Sequence, residues 1–262
     1  FVSFYRRCYK KHKIEVDENK SYNTFPSSDH PIVINSLFFR ELTMGPTGGG
    51  VLSTLFELAA AKKISIEVVE HGWKIFKSKK LKITIHNTEL IDLKSDFAKL
   101  LLNRMNKFGK ETTFSNVFRN MSSKHSEWKK LKVEGLNKNA WVDKSSRDEK
   151  FRMAILQFFI NAVIIFCSIY YKTLLGVFSI LPFIFLIVTL AGSRLTKEGQ
   201  KIYNEWTVFM TQLKEGKIDI KNFDPDLLLQ YCIALGTQPE ELKSVIKNIE
   251  SEHSDGFIWM YH

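Results

Sequence analysis

The sequence has few of the residues that build disulfide frameworks or metal centres. Only three of its 262 residues are cysteines, Cys8, Cys167 and Cys232. They lie far apart in the chain, and no two of them have the spacing of a metal-ligand pair. We therefore expect neither a disulfide framework nor a metal site.

Recognisable catalytic motifs are also missing. Three consecutive glycines, Gly48–Gly50, would suit a phosphate-binding loop, but no lysine followed by serine or threonine comes after them. The neighbours Asp29 and His30 lie in a polar, turn-rich stretch, and the chain has no nucleophile elbow. We predict no catalytic residues, no bound cofactor and no enzymatic activity, and we expect His30→Ala to leave function unchanged.

Charge is absent from two long apolar runs. Met153–Tyr171 and Thr173–Ser193 contain 19 and 21 residues without a charge, and Lys172 separates them. A helix rises about 1.5 Å per residue, so each run is long enough to cross the roughly 30 Å hydrocarbon core of a bilayer. The pair predicts a transmembrane helical hairpin over residues 153–193. A buried helical hairpin in a globular core is the alternative.

Basic residues flank the two runs and predict an orientation. Positive charge accumulates on the cytoplasmic side of membrane proteins. This rule places residues 6–152 and 194–262 in the cytoplasm of a multi-pass plasma-membrane protein. The chain also opens on an apolar and then basic stretch, so residues 1–30 are predicted to be the end of another spanning helix and a juxtamembrane linker. A free, disordered basic tail is the alternative. The flanking residues are Arg147, Lys150, Arg152, Arg194, Lys197 and Lys201.

Residues 31–120 have the order helix, helix, hairpin. Helical spacing of apolar residues from Val51 ends at Lys62 or Lys63, and alternating apolar residues in Ile64–Val68 and Leu81–Ile85 indicate a hairpin with one buried face. This order is typical of a winged helix. We therefore predict an α+β membrane protein, with a winged-helix-like cytoplasmic domain.

The remaining chain is predicted to be helical. Residues 121–152 form a charged helical connector, and residues 194–262 form a small α-helical C-terminal module. Within that module, Asp224 followed by Pro225 indicates a helix start, and an apolar stripe from Ile202 to Leu213 indicates an amphipathic helix.

The net charge of +10, from 38 basic and 28 acidic residues, favours an acidic partner. Anionic lipid is the nearest candidate, because basic residues near such a surface bind it. Nucleic acid is disfavoured, since the candidate recognition helix offers Ser53, Thr54 and Glu57 instead of basic residues. Membrane-surface or phosphate contacts are assigned instead to the lysines of the predicted wing, which are Lys74, Lys77, Lys79, Lys80 and Lys82.

Small and polar residues within the two runs predict helix packing. Interhelical hydrogen bonds of such residues contribute about 0.6 kcal/mol each. Two helices cannot enclose a pore, so a transport role requires an oligomer. The residues concerned are Gln157, Asn161 and Ser168 in the first run and Gly176 and Ser179 in the second.

Three stretches, together with the order of the parts, resemble the YciQ-like predicted membrane proteins, a family with a domain of unknown function. The stretches are Leu52–Ile66, Arg194–Gly199 and Leu228–Gly236. The resemblance implies an extracytoplasmic β-rich domain, a spanning helix, a winged-helix-like cytoplasmic region, a membrane hairpin and a short C-terminal piece. Gln230 departs from the family pattern, which tends to have proline before the tyrosine, and Cys232 replaces a small residue. The resemblance supplies no catalytic residues.

These observations favour a membrane-anchored interaction or signalling module. Its expected partners are membrane lipid and a protein, and a homo-oligomer stays open. The two alternatives are a membrane-tethered DNA-binding regulator and a subunit of an oligomeric transporter.

Overall fold

The computed structural model describes residues 14–17, 20–39, 46–71, 78–170 and 195–237. Residues 1–13, the tip of the predicted hairpin and the second apolar run lie outside these ranges. The α-helices of the described part are α1 Pro31–Phe39, α2 Gly48–Ala60, α3 Asp96–Met105, α4 Phe114–Ser123, α5 Ser126–Lys138, α6 Lys144–Tyr170, α7 Lys197–Lys214 and α8 Pro225–Ala234.

Side-chain caps fix where several of these helices begin. In each case a hydroxyl or carboxylate oxygen accepts a hydrogen bond from a backbone N–H of the first turn, which satisfies one of the donors that a helix leaves unpaired. The predicted start of α8 is confirmed, because Asp224 caps it and Pro225 is its first residue. The other caps are Thr47, Ser95, Thr113 and Thr196.

The three strands β1 Ile64–His71, β2 Ser78–Ile85 and β3 Glu111–Thr113 form an antiparallel sheet in that order. Ile64 is paired with Ile85 and Ile66 with Ile83, so these four side chains share one face of the hairpin. Ile64, Ile83 and Ile85 are buried. The predicted hairpin with one buried face is therefore confirmed.

Helix α1 is the centre of the packing. Every residue from Pro31 to Leu37 is buried, and α1 contacts α2, α5, α7 and α8. The approach of α5 is close, since a β-carbon on Gly135 would lie 2.6 Å from a methyl group of Val33. A helix buried on all sides has no polar stripe, which is why hydrophobic periodicity gives it no clear signature.

The segment before α1 is part of the core, although the sequence predicted a polar linker there. Phe25 is packed among aromatic rings of three other parts of the chain, with ring centroids 4.9 Å from those of Phe223 and Tyr231 and 6.2 Å from that of Trp206. Tyr22 is buried and donates a hydrogen bond to the backbone carbonyl of Glu205 at 3.2 Å. We call residues 14–17 and 20–30 the strap, since they lie along α7 up to the start of α1.

The predicted fold class with a transmembrane hairpin is contradicted for its first helix, residues 153–171, and the second run, residues 173–193, lies outside the described residues. None of the helices in the described ranges combines the length and the apolar character needed to cross a membrane. The prediction rested on the length of the two runs and their lack of charge, and it treated their polar residues as helix-packing positions. Helix α6 is 27 residues long, but it begins at Lys144 with charged residues, and Gln157, Asn161 and Ser168 interrupt its apolar part.

The predicted winged helix is also wrong. The third strand, β3, comes after another helix, α3, and not directly after the hairpin. The helix assigned to recognition, α2, is covered by α8, and its residues from Gly50 to Phe56 are all buried. The helices α7 and α8, which the sequence placed in a C-terminal module, contribute Trp206, Phe209 and Leu228 to the same core as α1 and α2.

Candidate functional site

Helix α6 exposes large apolar side chains along most of its described surface. Phe166 is 70% exposed and Ile169 is 73% exposed. Contiguous apolar surface of this kind marks a contact with a partner or a membrane. We call these residues the apolar surface of α6; they are Ile155, Leu156, Phe158, Phe159, Ile160, Val163, Ile165, Phe166, Ile169 and Tyr170.

One narrow face of α6 is covered. Asn161 is 2% exposed and Ser168 is 9% exposed, and the residues between them on the same face, Ile164 and Cys167, are partly buried. Asn161 and Ser168 are two of the polar residues for which helix packing was predicted. Residues Gly176 and Ser179 lie outside the described ranges, and for Gln157 only its place in α6 is described.

The chain is held together just before α6 and just before α7. Val142 and Leu195 form an antiparallel bridge, and the N–H of Thr196 donates to the carbonyl oxygen of Trp141 at 3.0 Å. The Thr196 hydroxyl donates to the carbonyl of Ala140 at 2.8 Å. We call residues 140–142 with 195–199 the clamp. It brings the two ends of the 143–194 segment side by side on the folded domain.

Gly199 permits this contact. A β-carbon at Gly199 would overlap the carbonyl oxygen of Trp141, so no other residue fits there without a shift of the backbone. Trp141 itself is buried. The glycine of the Arg194–Gly199 stretch therefore has a packing role that its sequence context did not indicate.

Among the predicted surface lysines, two of the three in β2 are in register with acidic residues of β1. Lys82 forms an ion pair with Glu111 at 2.7 Å and is paired in register with Glu67 of β1. The hydrogen bond to Glu111 raises the pKa of Lys82 above its usual value. Lys79 is in register with Glu70, and Lys80 is exposed. Lys74 and Lys77 lie outside the described ranges, so the predicted contacts of this group stay a prediction.

Asp29 and His30 lie where several helices meet. The Asp29 carboxylate accepts from the Asn139 side-chain amide at 2.5 Å, and the Asp29 carbonyl accepts from the Tyr231 hydroxyl. His30 Nε2 lies 2.9 Å from a carboxylate oxygen of Glu57, and its ring stacks on Phe97 with centroids 4.8 Å apart. These contacts connect the strap to α2, α3, α5 and α8.

Both nitrogens of the His30 ring are engaged. The backbone N–H of Ile32 donates to Nδ1 at 3.2 Å, so the hydrogen of the neutral ring is on Nε2, where it is donated to Glu57. This arrangement caps the start of α1 and engages both ring nitrogens within the fold. In the part of the chain that the structure describes, no group of three His, Cys, Asp or Glu residues could hold a metal ion.

The glycine run at the start of α2 is explained by packing. A β-carbon on Gly49 would lie 2.8 Å from the carbonyl oxygen of Ile233, at the end of α8. Asn35 of α1 donates its side-chain amide to the neighbouring carbonyl of Ala234, and Thr47 donates its hydroxyl to Asn35 Oδ1 at 3.1 Å. The glycines thus allow α2 to approach the last turn of α8.

Sequence reasoning missed the clamp and the strap. The strap has no periodicity, and its aromatic residues are separated by polar ones, which is also how a solvated linker is composed. One signal was available: Tyr22 and Phe25 are large aromatic side chains, and such residues are more often buried than exposed in folded proteins.

Taken together, the described elements define an α+β domain that presents one long helix with an exposed apolar surface. The chain belongs to a family of predicted membrane proteins of unknown function: residues 19–236 match the family described as predicted membrane protein (DUF2207) C-terminal domain. No curated protein and no solved structure matches the chain.

Proposed function

We propose that this chain is a membrane-associated interaction module that contacts lipid through the apolar surface of α6. The observation that carries the proposal is the exposure of ten large apolar side chains on that helix. Burying such a side chain in an apolar environment yields about 1.5–3 kcal/mol, so this surface is costly in water. Membership of a family of predicted membrane proteins supports lipid as the occupant.

The folded domain is the interaction part of the proposed module. Its core residues in the described ranges come from the strap, the sheet, the helices other than α6, the clamp and connecting loops. The domain is therefore complete beside α6, and the clamp joins the two. A protein partner would bind the exposed surface of this domain.

We propose the cytoplasmic side of the plasma membrane as the location of the domain. The net charge of +10 and the basic residues next to α6 support this side, because positive loops are retained in the cytoplasm. DNA binding through α2 has no support, since that helix is buried under α8.

The lipid contact can be tested by flotation. The full chain is mixed with phosphatidylcholine vesicles, and the fraction that floats is measured over a lipid titration. The double variant Phe159→Asp and Phe166→Asp places two charges on the apolar surface of α6 and should lower the partition coefficient at least tenfold. Ile91→Asp is the matched control, because Ile91 is 90% exposed but lies in the loop before α3.

Two results would contradict the proposal. One is a wild-type chain that stays in the dense fraction at every lipid concentration. The other is an equal loss of flotation in the double variant and in the Ile91→Asp control, because the effect would then not belong to α6.

The location is tested separately with Ser123→Cys, an exposed position at the end of α4. In intact cells this cysteine should resist a membrane-impermeant thiol reagent and react after the membrane is opened. The unsubstituted chain measures the background from its three native cysteines. Labelling of Ser123→Cys in intact cells would place the domain outside.

A further inference from the structure

Three parts of the chain meet at the amino-terminal end of α7. The clamp holds residues 140–142 against residues 195–199, and the side-chain amide of Asn204 donates to the carbonyl of Ile14 at 3.0 Å. Thr196 and Asn204 are eight residues apart, which is about 12 Å along a helix. The start of the strap and both ends of the 143–194 segment therefore lie at one end of the domain, which we call the clamp end.

The sheet lies at the other end of α5. Lys138 is the last residue of α5 and is followed within three residues by Trp141 of the clamp. Near the first turn of the same helix, Glu127 forms an ion pair at 3.0 Å with Arg104, at the end of α3 and shortly before β3. A helix of 13 residues is about 20 Å long, so the end of α3, from which the chain continues to β3, is separated from the clamp end by roughly that distance.

The clamp end carries exposed basic side chains on three helices. Lys138 ends α5, Lys197 and Lys201 lie in the first two turns of α7, and Arg152 lies on α6 three residues before the apolar surface begins. The acidic residues Glu15, Asp17 and Glu198 are also exposed at this end, and Asp143 is partly buried next to the clamp, so they offset much of the charge of the described side chains. Arg152 lies about 4.5 Å along the helix from Ile155, where the apolar surface begins. When that surface contacts lipid, Arg152 is therefore at the level of the headgroups.

We propose that the clamp end binds the phosphate groups of an anionic bilayer, and that Lys138, Arg152, Lys197 and Lys201 make the contact. This inference rests on the proposed lipid contact of α6 and names the lipid class. Lys144 and Ile155 are 11 residues apart, so the clamp is about 16 Å from the start of the apolar surface. The headgroup layer occupies about 5–8 Å of that distance. The remaining roughly 8–11 Å, close to the screening length of about 8 Å at physiological salt, is spanned in part by the long lysine side chains themselves.

The same geometry separates this surface from the lysines of the hairpin. Lys80 of β2 and Lys107 after α3 are exposed at the sheet end, about one length of α5 farther from the start of α6. At that distance screening removes most of their attraction to a bilayer that α6 contacts. The attraction to anionic lipid therefore comes from the basic residues at the clamp end and not from the lysines of the hairpin.

The test compares two triple variants of the full chain with equal change in charge. Lys138→Gln, Lys197→Gln and Lys201→Gln neutralise the clamp end, and Lys80→Gln, Lys107→Gln and Lys124→Gln neutralise the sheet end. Partition is measured by flotation on vesicles of phosphatidylcholine alone and of phosphatidylcholine with phosphatidylserine at 7:3. Circular dichroism and thermal unfolding of each variant show whether it is folded.

For the wild type, phosphatidylserine should raise the partition coefficient, and the increase should fall as salt rises from about 50 to 500 mM. Each basic residue close to an anionic surface raises the partition coefficient at most about fivefold. With screening, the increase caused by phosphatidylserine should be roughly five- to tenfold smaller for the clamp-end triple than for the wild type. Its partition on phosphatidylcholine alone should equal that of the wild type. The sheet-end triple should keep the increase.

The outcomes separate this inference from the proposed function. A wild type that floats on phosphatidylcholine but gains nothing from phosphatidylserine overturns the lipid class alone. An equal or larger loss in the sheet-end triple overturns the assignment to the clamp end. A wild type that floats on neither vesicle overturns the proposed lipid contact itself.

Discussion

Gly49 lies against the carbonyl oxygen of Ile233 at a distance that leaves no room for a β-carbon, which would stand 2.8 Å from that oxygen. A β-carbon added to the neighbouring Gly48 would have no contact within 4 Å. Two adjacent glycines in the first turn of α2 therefore differ completely in their surroundings. The contact joins α2 to α8, and it is through α8 that the C-terminal part of the chain covers α2.

Gly49→Ala should destabilise the domain by about 1–3 kcal/mol, since the neighbour is backbone and the two helices must separate to admit the methyl group. Gly48→Ala is the matched control and should be neutral or slightly stabilising, because alanine is favoured over glycine in a helix. Chemical denaturation of both variants measures the difference. Equal stability of the two variants would show that the α2–α8 contact is looser than described.

A short linker in place of residues 144–193 should leave a folded domain. The bridged residues Val142 and Leu195 lie side by side, and the Cα atoms of such a pair are about 4.5–5.5 Å apart, so a Gly/Ser linker of about six residues spans the gap. Among the described residues, none of the core members comes from α6. Cooperative thermal unfolding of the shortened chain is the expected result. A non-cooperative transition would mean that the replaced segment belongs to the folding unit.

Loss of the His30 ring should lower stability without affecting lipid contact. His30→Ala removes the bond from Ile32, the bond to Glu57 and the stacking on Phe97, and it leaves the half-buried Glu57 carboxylate without this partner. We expect the free energy of unfolding to fall by about 1–3 kcal/mol. His125→Ala, at an exposed histidine, should change it by less than about 0.5 kcal/mol. Reduced flotation of His30→Ala on vesicles would indicate a functional role for this residue.

Stability should decrease in alkaline solution. Burial, with the nearby carboxylates of Glu205 and Asp17, raises the pKa of Tyr22 from 10.0 to about 12. Between these values the unfolded chain releases the phenolic proton while the folded chain retains it. The stabilisation is therefore complete below pH 10 and is lost as the pH rises towards 12. Burial acts in the same direction on the Cys232 thiol, whose pKa rises from 9.0 to about 12.

Tyr22→Phe should flatten this decrease. Denaturant unfolding at pH 9 and at pH 11 measures it, and Tyr170→Phe, at an exposed tyrosine, is the control. The variant also loses the hydrogen bond to the Glu205 carbonyl, so its stability at pH 9 should be lower by about 1 kcal/mol. An unchanged difference between the two pH values would exclude Tyr22 as a source of the alkaline loss.

The sequence predicted the elements that have a clear period or a local start signal. Alternation placed the hairpin of β1 and β2, and Asp224 with Pro225 placed the start of α8. The spacing of three and four residues predicted that α7 is an amphipathic helix, and its stripe is buried at Trp206, Phe209 and Leu213. These signals are local, because they depend on residues within two turns of each other.

The arrangement of those elements could not be predicted in the same way. The order helix, helix, hairpin fits a winged helix, but it does not show that α8, more than 160 residues later, covers α2. The clamp depends on the missing side chain of Gly199, and the role of His30 depends on Glu57 and Phe97 from two other helices. Each of these features is a long-range contact, which composition and period do not encode.

The strap also has a consequence for the order of events during synthesis. Tyr22 and Asp29 bond to residues that follow them by 183 and 202 positions, so the aromatic part of the core cannot close until Tyr231 has left the ribosome. At about 5–20 residues per second, Tyr231 is added roughly 3–12 seconds after Tyr170, the last described residue of α6. The apolar helix therefore meets its surroundings before the domain beside it can fold, and the last steps of folding take place with α6 already in position.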